Sequence, residues 1–365
     1  MSYVTEGRAR IFVPEGKVMK KDEAFYNPAM RYQRDVTIAA LRVFSEMKGG
    51  GLSVCDPLAG TGIRGIRIAL EVPGISGILM NDMSPAAFRV LKKNVDAVGL
   101  KVAKVEMKNC DADALLSSCD RTFDFLDIDP FGSPAGFLHA ASRALRHGSM
   151  LACTATDTGA LCGSFPKVCL QRYAVRAVKT DFYKETGVRV LTTAIMVELA
   201  RRDLTFEPVY AHANHYFRVI GLVRRKKSAL TESFRKVKLI SWCPRCIFRS
   251  AEVHGACPEC GGRVEMLGPI WTGRLSDKDF CAKMAGEMKA LGYRNTRELE
   301  AAAAEIEAPF YYDLHRLSKI ARKTPRKADD VVSGLRAAGR EASRTRFCGT
   351  GVLTDASLSE LLRLL

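Results

Sequence analysis

Residues 124–134 read Asp-Phe-Leu-Asp-Ile-Asp-Pro-Phe-Gly-Ser-Pro, an apolar alternating run that stops at Asp129-Pro130-Phe131-Gly132. The pattern predicts a buried strand that delivers a carboxylate, a proline and an exposed aromatic to a loop just before a helix. In open α/β sheets chemistry is placed there, outside the carboxyl ends of the strands. A carboxylate at such a position can accept hydrogen bonds from a reacting N–H group and take its proton, and an aromatic ring can stack on a base drawn out of its helix. For the helix that follows, Ser133 is the expected cap and Pro134 the first-turn residue. Its buried face should be Phe137, Ala140, Ala141, Ala144 and Leu145.

A second constellation precedes it. Asp56-Pro57-Leu58-Ala59-Gly60-Thr61-Gly62-Ile63-Arg64-Gly65 contains Gly-x-Gly-x-x-Gly between a strand pattern at Leu52 to Asp56 and a helix pattern at Ile63 to Glu71. Small residues in such a turn let a ligand approach the backbone and the N–H groups of the helix start. Asp82, twenty residues past Gly62, ends the next strand, where a carboxylate can accept from ribose hydroxyls. Dinucleotides and S-adenosylmethionine both use this layout. No His, Lys or Tyr after the later strands is placed to relay a proton in hydride transfer. Acids stand instead in the first turn, Asp56, and after the third strand, Asp111 beside Ala112, where an adenine edge would lie. That favours S-adenosylmethionine and an exocyclic amine as methyl acceptor. Such an amine is a weak nucleophile that must be held in line and relieved of a proton.

These residues need a scaffold that brings strand ends together. Short apolar strands at Leu52 to Asp56, Gly77 to Asn81, Val105 to Asn109, Phe125 to Ile128 and Ser149 to Thr154 alternate with helices, among them Val36 to Met47 and Pro85 to Val98. The fold class this implies is α/β, a doubly wound, Rossmann-like domain with a parallel sheet. Phe206 to Ala211 and Tyr216 to Arg224, after a helix in Lys179 to Arg202, would add an antiparallel edge.

The second half has a different character. Cys243-Pro-Arg-Cys246 and Cys257-Pro-Glu-Cys260 are two Cys-x-x-Cys knuckles with spacing suited to a closed structural zinc site. His254 lies between them as a competing ligand. Asn295 and Glu298 form an expected capping box for a helix running to Ala308. Leu314 to Ala321, Ala328 to Ala338 and Ser343 to Phe347 read as helix, helix and wing, a winged-helix-like module. The expected boundaries are 1–228 for the catalytic domain with its N-terminal segment, and 229–365 for a smaller α+β domain with the four-cysteine zinc site at 243–260.

The 365 residues carry a net charge of +16, and 47% of them are apolar. Residues 224–249 hold nine Lys/Arg and one acid, and residues 314–346 hold ten and three. Charge so concentrated outside the catalytic segment points to nucleic acid, gripped through phosphates. Twelve cysteines used as thiols or metal ligands, no apolar run long enough for a membrane and no basic-then-apolar leader together predict a cytoplasmic protein. No obligate protein partner is expected.

Phe25-Tyr26-Asn27-Pro28 with Arg34-Asp35, the Gly60 to Gly65 turn, Asp127 to Pro134, Thr154-Ala155-Thr156-Asp157 with Leu161-Cys162-Gly163, and Glu341 to Phe347 together resemble the tRNA (guanine-26-N2)-dimethyltransferases over nearly the whole chain. The resemblance implies that Arg34, Arg64, Asp82, Asp111 and Ala112 contact S-adenosylmethionine. It implies that Asp129 is the catalytic carboxylate and that Phe25 and Phe131, with Pro130, hold the flipped guanine of a tRNA. Gln33 and Ala29 depart from the family's usual Asn and Arg. Two other readings follow from the residues: an RNA-binding zinc protein with a vestigial methyltransferase domain, and methylation of adenine N6.

Overall fold

The computed structural model describes residues 2–14 and 25–365. A hairpin, β1 (Ser2–Glu6) and β2 (Ala9–Val13), precedes a long helix, α1 (Arg31–Lys48), which closes at Gly49 in the left-handed conformation. Then β3 (Leu52–Asp56), α2 (Ile63–Glu71), β4 (Ile75–Asn81), α3 (Pro85–Val98), β5 (Lys104–Lys108), α4 (Ala112–Ser118), β6 (Phe123–Ile128), α5 (Ala135–Ala144) and β7 (Leu145–Ala155) alternate. Two short helices, α6 (Thr158–Leu161) and α7 (Pro166–Tyr173), lead to α8 (Tyr183–Ala200) and the hairpin β8 (Thr205–Ala213) and β9 (Phe217–Arg224).

These strands form one seven-stranded sheet in the order β5-β4-β3-β6-β7-β9-β8. The first five pair in parallel, and β9 and β8 complete an antiparallel edge. Side chains alternate across it. Phe125, Ala152 and Ile220 belong to a core with α1, α2 and the β1–β2 hairpin; Leu126, Ile128 and Cys153 belong to the other core, with α4, α5 and α8. The chain order reverses between β3 and β6, so their carboxyl ends flank the crevice where a doubly wound sheet takes its ligand.

The rest of the chain comprises α9 (Lys227–Arg235), β10 (Val237–Trp242), β11 (Arg249–Ser250), β12 (Glu265–Trp271), α10 (Lys278–Ala290) and α11 (Arg297–Ala304), followed by β13 (Tyr312–Asp313), α12 (Leu314–Ala321), α13 (Ala328–Ala337), β14 (Ala342–Thr345), β15 (Cys348–Thr354) and α14 (Leu358–Arg363). Strands β11-β10-β12 and β13-β15-β14 make two small antiparallel sheets. The order β13, α12, α13, β14, β15 is strand, helix, helix and a two-stranded wing. Both large cores continue past residue 228. Ile240, Trp242, Leu267 and Trp271 join the core of α8, and Phe280, Met284 and Met288 of α10 join that of α1.

Three local expectations differ from the structure. Pro134 sits at the cap position of α5 instead of inside it, because Ser133 Oγ, while accepting from the Ala135 N–H at 3.3 Å, lies 2.8 Å from the Tyr173 hydroxyl. Leu145 has left the helix and opens β7. The Asn295–Glu298 capping box does not form. Thr296 is the cap, its hydroxyl donating to Glu300 at 3.1 Å and capping no backbone N–H, the helix stops at Ala304, and Glu298 turns inward to accept from Tyr210 at 3.0 Å and to meet His212.

Candidate active site

The glycine turn follows from its surroundings. Gly60 and Gly62 have φ of +55° and +80°, and a Cβ on Gly62 would lie 2.4 Å from Leu91 Cδ1. A Cβ on Gly60 would come within 3.1 Å of the Phe25 carbonyl oxygen, so the bare turn lets the N-terminal segment lie directly on it. Asp82, at the end of β4, accepts from the Gly60 N–H and from the Ser84 N–H, both at 2.9 Å, which ties the second strand end to the turn. Asp111 caps α4, accepting from Ala114 at 2.8 Å, and Ala112 is buried behind it.

Asp56 ends β3 inside the protein. Its Oδ2 is buried without a partner, and burial pushes its carboxyl up to about 7 against the opposing pull of Arg64. An unpartnered carboxylate oxygen beside a glycine turn suits a ligand that carries positive charge, as a sulfonium and an amino group do. The donor set therefore fits S-adenosylmethionine.

Asp129 stands one residue past β6, with 16% of its side chain exposed. Successive odd positions of a strand share a face, so Asp127 and Asp129 both point toward α1 and α2. Arg64 reaches both: one guanidinium nitrogen lies 3.0 Å from Asp127 Oδ2 and the other pairs with Asp129 Oδ2. Behind them Arg218 of β9 makes a two-pronged contact with Asp127, Nη1 to Oδ1 at 3.0 Å and Nη2 to Oδ2 at 2.5 Å. Arg218 also donates to Thr154 and Thr37, and Gln33 donates to Thr154 at 2.6 Å. Burial alone would favour a neutral Arg64, but Asp127, Asp129 and Asp56 outweigh it and hold the guanidinium strongly protonated.

Pro130 is buried, whereas Phe131 is 68% exposed. Gly132, at φ +80°, donates to Thr156 Oγ1 at 2.7 Å and accepts from its N–H at 2.9 Å, so the Asp-Pro-Phe-Gly loop is stapled to the end of β7. Phe25 and Phe131 meet, with centroids 4.8 Å apart and planes at 78°. They stand edge to face, an arrangement aromatic pairs favour. A base stacked between parallel rings would need a slot of roughly 7 Å, so one ring must turn to admit it.

Arg34 is engaged within the protein. Its guanidinium lies 2.6 and 2.7 Å from Glu6 and donates to the Asn27 carbonyl at 3.1 Å. Glu6 in turn binds Arg67, which binds Asp35 and Glu71. Sequence reasoning missed Asp127 and Arg218 as parts of the site. An acid within the buried Phe-Asp-Phe-Leu-Asp-Ile strand was a signal for the first; Arg218 gave none, because only the β7–β9 register sets it opposite Thr154.

In the second half the sulfurs of Cys243, Cys246, Cys257 and Cys260 lie within 4.8 Å of one another, with Cys243–Cys260 at 3.6 Å and Cys246–Cys257 at 3.4 Å. Zn–S bonds of about 2.3 Å would set tetrahedral edges of about 3.8 Å, so the thiols fit zinc. His254 is outside the cluster, its ring edge-on to Phe248.

Across residues 7–365 the chain matches the family model described as N2,N2-dimethylguanosine tRNA methyltransferase. It is 37% identical to a tRNA (guanine(26)-N(2))-dimethyltransferase of Methanothermobacter thermautotrophicus, over 99% of this chain and 97% of that one. The chain belongs to this methyltransferase family. A dimethyltransferase of the same name from Thermococcus kodakarensis is 35% identical over 97% and 96% of the two chains. The solved structure of Trm1 from Pyrococcus horikoshii in complex with S-adenosyl-L-methionine superposes with a TM-score of 0.87 at 30% identity, covering 100% of this chain and 99% of that one. The Rossmann-like fold with its C-terminal extension is thus shared with a family member from end to end. Among the described residues no helix is long and apolar enough to cross a membrane.

Proposed function

We propose that this enzyme transfers one or two methyl groups from S-adenosylmethionine to the exocyclic N2 of guanine 26 in tRNA. A neighbouring guanine is a further acceptor open to test. The observation that carries this reading is Asp129, a partly exposed carboxylate anchored by Arg64 and next to the solvent-facing ring of Phe131, at the strand end beside a glycine turn. When bound, S-adenosylmethionine supplies a methyl carbon on a positively charged sulfur. The residues of the chain supply the rest. Asp129 accepts hydrogen bonds from the N2 amine, fixes its lone pair on the methyl carbon and takes the proton lost as the N–C bond forms. Phe25, Pro130 and Phe131 hold the extruded base. Asp82 accepts from the ribose, Asp111 and Ala112 border the adenine, and Arg34 and Arg64 shape the methionine end through the acids they bind.

The zinc-binding knuckle and the basic half, residues 229–365, hold the tRNA against residues 1–228. Exposed Lys319, Arg322, Lys323, Arg326 and Lys327 cluster at the end of α12 and in the loop before α13, where they can face phosphates. A cytoplasmic location accords with a tRNA substrate. Asp129→Ala, assayed by mass analysis of nucleosides from a tRNA transcript, should lower kcat at least roughly a thousandfold while tRNA affinity stays within about threefold. Full activity in that variant removes the mechanism; no methyl gain on any tRNA by the wild-type protein would leave an RNA-binding protein.

A further inference from the structure

Asp129 does not meet Arg64 alone. Arg64 pairs with two carboxylates, those of Asp127 and Asp129, and feels the charge of Asp56 as well. Asp127 is fully buried on the same face of β6, and without a partner of its own it would compete with Asp129 for Arg64. Arg218, 1% exposed, prevents this by closing both its terminal nitrogens on both oxygens of Asp127. Its fork is held in turn by Thr37 of α1 at 2.7 Å and Thr154 of β7 at 2.6 Å. Only one contact to Asp127 is then left to Arg64, whose other nitrogen reaches Asp129. Five elements, α1, α2, β6, β7 and β9, thus order an alternating chain of charges, Arg218–Asp127–Arg64–Asp129.

We infer that Arg218 and Asp127 are positioning residues for the methyl transfer: by saturating Asp127, Arg218 frees Arg64 to hold the Asp129 side chain aimed at the acceptor amine. The inference rests on Asp129 being the reacting carboxylate. The other groups facing Asp129 are Asp56 at the end of β3, the Tyr216 hydroxyl before β9 and the Cys153 thiol of β7. Burial pushes Tyr216 and Cys153 up, so both stay neutral at working pH. Asp56 titrates near 7, and its effect is separated by repeating the series in an Asp56→Asn background.

The sign follows from charge. If Arg218 is replaced by Met, Asp127 claims Arg64, and Asp129 gains a like charge and loses an opposite one. Asp129 then loses the contact that aims it at the amine. The expected readout is a fall in kcat of at least roughly tenfold, with KM for S-adenosylmethionine within about twofold of wild type. Arg218→Lys keeps the charge but loses the fork, and should lose less kcat. The decisive variant is Asp127→Asn/Arg218→Met, which removes both charges and returns Arg64 to Asp129; its kcat should recover to within about threefold of wild type. Circular dichroism melts establish that each variant is folded, and Arg218→Lys carries the test should Arg218→Met fail to fold. A folded single variant with wild-type kcat, or a double variant whose kcat stays as low as that of the single variant, overturns the inference. Absence of methyl transfer by the wild-type protein would overturn the activity assignment as well.

Discussion

At the scale of single residues, Asp56 and Glu6 show opposite uses of a buried carboxyl. Burial lifts Asp56 to about 7, above its unfolded value near 4, so folding disfavours its ionised form. Its penalty is absent below pH 4 and grows as the pH rises toward 7. Asp56→Asn should therefore raise the melting temperature more at pH 8 than at pH 5, by an amount corresponding to roughly 2–4 kcal/mol, while weakening cofactor binding in calorimetry. Glu6 is the reverse: burial would raise it, but the hydrogen bonds and charges of Arg34 and Arg67 together bring it down to about 2. Its stabilisation is complete above the ordinary value of 4.5 and is lost as the pH falls from there to 2. In acid titrations followed by circular dichroism, Glu6→Gln should start less stable and lose less over that window, by on the order of 3 kcal/mol. A third residue, Phe131, is exposed, so in the proposed reading it acts through the base it stacks on. Because stacking is worth about 1–3 kcal/mol per base, Phe131→Ala should reduce kcat/KM for tRNA roughly 10- to 100-fold, with the melting temperature unchanged.

Among the elements, the knuckle ties a loop to a module. Cys246, Ile247 and Phe248 pack with Leu314, Leu317 and Val331 in a core of their own, so the loop that ends in thiolates also supplies apolar contacts to α12 and α13. Stripping zinc with a chelator, or Cys246→Ser, should expose the amides of residues 312–361 to hydrogen exchange while those of β3, β6 and β7 stay protected. Uniform protection would mean that the knuckle is dispensable to the module. The elements also show what sequence discloses. The bounds of β3 and α2 were legible because the glycine turn lies between them, that of α3 because it opens at a proline, and the four cysteines declared themselves by spacing. What stayed hidden depends on partners far along the chain. Glu298 has the spacing of a capping residue, yet Tyr210 and His212 hold it from about 90 residues away. Arg249 and Arg346 count toward the basic clusters, but each is buried against an acid, Asp181 and Glu305, and is withheld from RNA. Phe25 and Phe131 were expected to flank a base; the structure brings them into contact, at an angle no spacing encodes.

For the molecule as a whole, catalytic sheet and basic half share their interiors. Phe280, Met284 and Met288 of α10 lie against α1, the helix that carries Gln33, Arg34 and Thr37 toward the site. Glu185 of α8 accepts from the N–H groups of Phe310 and Tyr311 at 2.7 and 3.0 Å, and Arg189 donates to the carbonyls of Trp271 and Gly273. Cutting the chain after residue 228 would bare this surface. Each large apolar side chain returned to water costs about 1.5–3 kcal/mol, so losing α10 together with Trp242 and Trp271 removes roughly 10 kcal/mol, comparable to the whole stability of a typical domain. A fragment of residues 1–228 should thus be unfolded or aggregated at about 37 °C, whereas the full chain should melt with its sheet and α10 in one transition. Fluorescence of Trp242 and Trp271, which sit on the shared core, reads this directly against the far-ultraviolet circular dichroism of the whole protein. Coincident curves are expected; a tryptophan transition well below the loss of secondary structure would mean that the two halves unfold independently. The shared core has a mechanical consequence for the proposed reaction: a tRNA held by the second half in the proposed manner would be registered on α1 through packed side chains, which would fix the phosphate contacts and Asp129 in one frame.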